Sequence, residues 1–404
     1  MTLGAMLRLW LPSAISVSLL NLESPVISLI LAASNLAASA DYALALSTFM
    51  FANAFVFPLC TLVVKERKRC EVLVAAALLA LTTFLLFNAA IAGWDAGRGG
   101  HLATLLHLFS FSLLAVALRR YLQGCCILAG ETRPMSRASL LRVLISTLGC
   151  YLLVQQGWPV DLAAITALVA AAWLESLLLA LLLWRRAIPW HAGHGAGYRS
   201  LLAPYGAAFL MTASALMSNL VVVLCLGRVE GGEVLLAYWP LTFGLLCVAI
   251  GTVLDLEGIL LKILDQSPPP QALRTFLLLQ AGLPACLFLL LGLLLDHYAL
   301  WPAGSRDLYL TWPFLLGVAL VAVLWVWRGE RRARLLRANR LGPIHLSVPL
   351  ALLTPLLLFH LLVIPNPGML ISLLIFALPI ALELGCYLLT PCHALPWQEK
   401  TEGA

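Results

Sequence analysis

Twelve apolar stretches, each about twenty residues or longer and almost free of charge, follow one another along this chain. They fall at approximately 8–34, 42–64, 72–93, 103–124, 139–157, 160–184, 200–226, 233–261, 275–295, 308–328, 343–364 and 369–391. A helix rises about 1.5 Å per residue, so some 20 apolar residues cross the ~30 Å of bilayer hydrocarbon. Lipid offers no partner to backbone N–H and C=O groups, and a helix satisfies them within its own segment. Charge content points the same way. Soluble domains carry about 25% charged residues to solvate their surface, whereas this chain of 404 residues carries 11% and is 62% hydrophobic. The expected fold class is therefore an all-α integral membrane protein with about twelve transmembrane helices.

Hydrophilic breaks separate the stretches at 65–69, 130–137, 185–199, 265–274 and 328–340, and Pro268-Pro269-Pro270 ends its segment because proline has no N–H to donate. Leu36-Ala37-Ala38-Ser39-Ala40 resembles a signal-cleavage site. The apolar stretch before it is longer than the ~7–15 residues of a signal core and holds Pro12 and Glu23, so it reads as the first spanning helix. The loops then set orientation. With the N-terminus inside, the outer loops hold only Arg98, Arg228 and Arg306, and the inner segments hold the other 22 of the 25 Lys and Arg residues. The positive-inside rule predicts that both termini are cytoplasmic. The net charge of +6 is that of cytoplasmic loops rather than of a nucleic-acid surface. Ten scattered cysteines form no CxxC pair, which argues against zinc and against a disulfide framework.

The chain also repeats itself. Leu11-Pro12 and Ala203-Pro204 open the first helix of each half, and Thr48-Phe49 and Thr242-Phe243 sit within each second helix, at offsets of 192 and 194 residues. Arg120-Tyr121-Leu122-Gln123-Gly124 and Val326-Trp327-Arg328-Gly329 each end a fourth helix. Six helices per half give both halves one topology. The expected domains are an N-terminal six-helix lobe over 1–190 and a C-terminal one over 191–404 with a short cytoplasmic tail, related by an axis along the membrane normal.

A charge inside the bilayer costs a few kcal/mol and asks for a reason. Glu23 lies midway along the first helix within Asn21-Leu22-Glu23-Ser24-Pro25, where Pro25 removes a backbone hydrogen bond. An acid at such a point suits an ion-coupling or gating site, and a hydrogen bond between helices is the plainer alternative. Glu175 and Glu383 occupy matching places in the sixth and twelfth helices, again open between transport and packing. Asp255 and Glu257 near Lys262 read as interfacial. His107 and His360 read as structural hydrogen-bonders before proton relays. Asn21, Ser24, Asn53, Asn219, Tyr238, Trp239 and Thr242 would line a cleft between the lobes, or hold helices together. Arg119, Arg120 and Arg142 would flank the inner mouth of the first lobe, attracting an anion or snorkelling to lipid phosphates. The sequence has no HExxH, no GxSxG with a triad and no Walker loop, so an enzyme is not expected and any transport would be secondary or facilitated.

Twelve helices in two lobes, Pro12, Glu23 and the second-helix stretch to Pro58 resemble the multidrug/oligosaccharidyl-lipid/polysaccharide (MOP) exporter superfamily. It includes the multidrug and toxic-compound extrusion (MATE) proteins and the lipid-linked polysaccharide flippases. Arg119-Arg120-Tyr121-Leu122-Gln123-Gly124 with Arg133 and Leu140-Leu141-Arg142, and Tyr238-Trp239-Pro240-Leu241, look similar to bacterial relatives of the progressive ankylosis protein. The resemblance implies a secondary exporter of a small anionic or amphiphilic solute, with two lobes rocking about a central cleft. It puts Glu23 near the first-helix acid that extrusion proteins use to couple a cation, here H+ or Na+. The expected partners are membrane lipids and a small-molecule or lipid-linked substrate; no cofactor and no nucleic acid are expected. A flippase for lipid-linked polysaccharide intermediates is the alternative, and a non-transporting scaffold of an envelope-polysaccharide assembly is the rival of another class.

Overall fold

The structure, a computed structural model, describes residues 1–66, 70–95, 100–186, 199–227, 232–254, 256–297, 312–338, 340, 342–361 and 369–389. Within them, fourteen α-helices make twelve spans. The first seven helices are α1 (Leu3–Ser34), α2 (Leu36–Ala52), α3 (Leu59–Glu66), α4 (Cys70–Asp95), α5 (His101–Ala129), α6 (Arg133–Gln155) and α7 (Val160–Arg185). The rest are α8 (Arg199–Leu226), α9 (Gly232–Leu254), α10 (Leu256–Asp265), α11 (Pro270–His297), α12 (Trp312–Arg337), α13 (Gly342–Leu361) and α14 (Met369–Leu389). By length and composition, eight of the spans are long and apolar enough to cross a membrane, and shorter apolar helices accompany them. The outward faces are apolar, as lipid requires: Leu86 is 65% exposed and Trp184 71%.

Local chemistry sets the ends. Thr2 caps α1, its hydroxyl accepting from Ala5 N, and Asn35 caps α2 by accepting from Ala37 N and Ala38 N. The helical backbone of α1 continues through Pro12 and Pro25. The second span of the first lobe is built in two pieces. A 3-10 turn at Asn53–Phe55 and then Pro58 separate α2 from α3.

Helices α1–α7 pack among themselves, and so do α8–α14. The densest seam between the two groups is α1 against α9, with α2 against α8 and α9 beside it. Among the described residues, α1 and α8 are not packed along their length. Small residues let the α1–α9 backbones approach: a Cβ at Gly244 would lie 2.4 Å from Pro25 Cδ, and one at Gly251 would lie 2.9 Å from Ser18 Oγ. Hydrogen bonds follow the seam. Trp10 Nε1 donates to Thr252 O at 2.8 Å, Asn21 Nδ2 to Cys247 O at 2.9 Å, and Ser39 Oγ to Ala237 O at 2.9 Å. The numbering rises on one helix as it falls on the other, so the two run antiparallel.

Candidate functional site

Each lobe buries a charge cluster. In the first, Arg142 on α6 grips Glu23 of α1, Nη2 to Oε2 at 2.7 Å and Nε to both oxygens at 3.1 and 3.2 Å. Its Nη1 donates to Glu175 Oε2 on α7 at 3.0 Å, which Arg119 Nη1 of α5 also reaches at 3.2 Å. Ser139 Oγ donates to Glu175 Oε1 at 2.8 Å and contacts Ser16 Oγ at 2.7 Å. Four spans are thereby tied through two carboxylates and two guanidiniums. A guanidinium presents five donors in a fixed fork, which suits it to holding two acids at once.

The second lobe repeats the scheme. Glu383 of α14, fully buried, accepts from Arg332 Nε of α12 at 2.7 Å, from Arg328 Nη1 at 3.5 Å and from the Tyr387 hydroxyl. Arg328 is 2% exposed, stacks over the Trp325 ring at 4.1 Å, and has no hydrogen-bond partner for its Nε among the described residues. Arg332 Nη1 lies 3.9 Å from Glu257 Oε2 on α10.

Between the clusters lies a cavity of about 190 Å³ shared by both lobes. Asn21, Thr61, Arg119 and Arg120 line it from one side, and Glu257, Thr212, Arg328 and Arg332 from the other. Arg120 Nη1 donates to Gln123 Oε1 at 3.2 Å, and its guanidinium lies 4.4 Å from the Phe57 ring centroid. A second cavity of about 120 Å³ reaches into the first lobe along Glu23, Ser24, Tyr42, Asn53 and Arg142. The shared cavity lies toward the end of the molecule that carries the N-terminus of α1. At the opposite end the lobes meet: Asn219 Nδ2 donates to Ser47 Oγ at 3.1 Å, Trp239 Nε1 donates to Asn219 Oδ1 at 2.9 Å, and Ser39 reaches Ala237 as above.

Among the residues expected at a cleft, Asn21, Ser24 and Asn53 line cavities, while Asn219 and Trp239 sit buried in the closed seam. The side chains of Tyr238, Thr242 and His360, and all of Asp255, lie outside the described residues. Arg142 lies inside the first lobe, held by Glu23 and Glu175, while Arg119, paired with Glu175, and Arg120 both line the shared cavity. His107 Nδ1 contacts Asn88 Oδ1 at 2.6 Å, a bond within the lobe. Lys262 Nζ donates to Leu128 O at 2.9 Å. Arg332, Tyr42 and Ser139 were not singled out from sequence, and Arg328 entered only through the repeat. For Arg328 that match, Arg120–Gly124 with Val326–Gly329, was the available signal.

The architecture has solved counterparts. A multidrug-resistance MATE family transporter of the MOP superfamily in an outward-facing conformation aligns with a TM-score of 0.63 at 14% identity, covering 96% of this chain and 94% of its own. The fold is that of MOP-superfamily transporters. A second MOP-superfamily structure, from Pyrococcus furiosus, matches with a TM-score of 0.63 at 13% identity over 96% of this chain and 94% of that one. Its description reports a binding pocket of reverse polarity that suggests a different function. A Vibrio cholerae MATE transporter in its bent form matches with a TM-score of 0.56 at 14% identity over 96% of each chain. No family model matches the sequence, and no curated protein matches it.

Proposed function

We propose that this protein is a secondary exporter that moves a small anionic or amphiphilic solute through the cavity between its lobes. The observation that carries the reading is the lining of that cavity: four arginines and one glutamate, drawn from both lobes of a MOP-type fold. Arg328 weighs most, because a buried guanidinium with an unused Nε donor is suited to a carboxylate or phosphate oxygen. Alternating access would break the Ser47–Asn219 and Ser39–Ala237 bonds at one end and close the cavity at the other. Glu23 serves as the gating residue: its ion pair with Arg142 joins α1 to α6, and a proton or sodium ion competing for the carboxylate would loosen α1. The proposed membrane is a bacterial inner membrane, and the basic loops support cytoplasmic termini.

Arginines inside the cavity also favour a second reading, a flippase for lipid-linked polysaccharide intermediates, whose headgroups are anionic. Proteoliposomes separate the two. Counterflow of citrate or ADP, with H+ or Na+ flux recorded for wild type and Glu23→Gln, is expected to show anion movement with an ion flux lost in the variant. Translocation of a fluorescent undecaprenyl-diphosphate sugar without citrate or ADP counterflow would instead establish the flippase. Neither activity would end the transport reading and leave the scaffold.

A further inference from the structure

A third cavity lies outside the lobe interface, on the lipid-facing side of the second lobe. It is a groove of about 450 Å³ between α11 and α12, lined by Pro270, Leu273, Arg274, Leu277, Leu278, Trp327 and Arg334. On α11 the lining recurs at three- and four-residue spacing, one face of the helix, and on α12 Trp327 and Arg334 stand two turns apart on one face. The groove opens at the basic end of the molecule. Trp10, in the early turns of α1, packs edge-on against Phe276 of α11 at 6.2 Å, and Arg337 Nε at the end of α12 lies 3.6 Å from Asp265 Oδ1.

The lining is ordered by depth. Arg274 and Arg334 stand at the rim; Leu278 lies about 6 Å deeper and Trp327 about 10 Å deeper, at ~1.5 Å per residue. Leu278 is 62% exposed and Trp327 54%, while Leu273 forms a buried floor. Arg334 is shared with Glu330 one turn back, which Arg331 Nε also approaches at 3.7 Å. Arg274 is exposed and makes no ion pair among the described residues. Three arginines and one glutamate therefore leave the rim positive. A cationic rim above an apolar trough matches a molecule with an anionic head and hydrocarbon tails.

We propose that this groove is a binding site for one anionic phospholipid of the leaflet on the N-terminal side. The Arg274 and Arg334 guanidiniums hold the phosphodiester, and one acyl chain runs down Leu277, Leu278 and Trp327. The site is independent of the transport reading.

The test uses the full chain in detergent, with native mass spectrometry and thermal unfolding during titration with phosphatidylglycerol, phosphatidylcholine or inorganic phosphate. Phosphatidylglycerol is expected to remain bound as one molecule per chain and to raise the melting temperature, with phosphatidylcholine and inorganic phosphate inert. Arg274→Glu is expected to weaken phosphatidylglycerol binding about tenfold. Arg137→Glu reverses an exposed charge at the same end, on α6, and is expected to leave binding unchanged. Leu278→Trp, which fills the trough and keeps both arginines, is expected to displace the lipid as well. Equal binding of the two lipids, equal losses in the two charge reversals, or full competition by inorganic phosphate would each overturn the proposal.

Discussion

Arg142 holds Glu23 through two of its nitrogens while its third reaches Glu175 at 3.0 Å, so one side chain of α6 fixes both α1 and α7. Removing one member of a buried ion pair leaves an uncompensated charge and costs about 3–5 kcal/mol. Arg142→Leu is therefore expected to lower the thermal stability of the purified protein sharply. Glu23→Gln should cost less, since Arg142 keeps Glu175. A double-mutant cycle over Glu23→Gln and Arg142→Gln measures the coupling, and additive losses would show that the pair contributes nothing specific.

The stack of Arg328 on Trp325 and its free Nε separate guanidinium geometry from simple charge. Arg328→Lys keeps the charge but loses the planar fork. It is expected to raise the KM for anion counterflow about tenfold or more, with the melting temperature changing by only a few degrees. Unchanged kinetics would remove Arg328 from the transport path.

Close approach of α1 and α9 predicts a contrast among glycines. Gly244→Ala places a methyl 2.4 Å from Pro25 Cδ, and overpacking of this kind costs about 1–3 kcal/mol. Gly282, mid-way along α11, has nothing within 4 Å of its Cβ position, and alanine there gains up to about 1 kcal/mol of helix propensity. Melting temperatures should fall for the first variant and hold or rise for the second.

The closed end rests on a few hydrogen bonds, each contributing about 1 kcal/mol. Asn219→Ala deletes its bonds to Ser47 and Trp239. It is expected to raise several-fold the labelling of Ser39→Cys by a membrane-impermeant maleimide, in a background lacking the ten native cysteines. Ser39 is fully buried in the structure, so labelling reports opening at that end. Equal labelling with and without the Asn219 change would mark the seam as static.

What the sequence alone determined is the solvent and the scaffold. Lipid imposes helices of a set length on any chain with so little charge, so the twelve spans could be placed from apolar runs. A repeat was to be expected from the offset of 192 residues between Pro12 and Pro204. Glu23, Glu175 and Glu383 stood out because an acid in hydrocarbon needs a reason.

Only the tertiary structure supplied that reason. The hydropathy reading began the fifth span at 139, the end of a basic loop, and so left Arg142 at a membrane mouth; α6 in fact starts at Arg133, which puts Arg142 more than two turns inside. It likewise stopped the fourth span at 124 and the tenth at 328, whereas α5 continues to Ala129 and α12 to Arg337. Arg119, Arg328 and Arg332 thus lie within helices and not at their ends. A charge looks like a boundary when its helix is read alone, because an isolated guanidinium must reach water. Glu175 and Glu383, on other helices of the same lobes, pair with those guanidiniums, and that pairing exists only once the chain has folded.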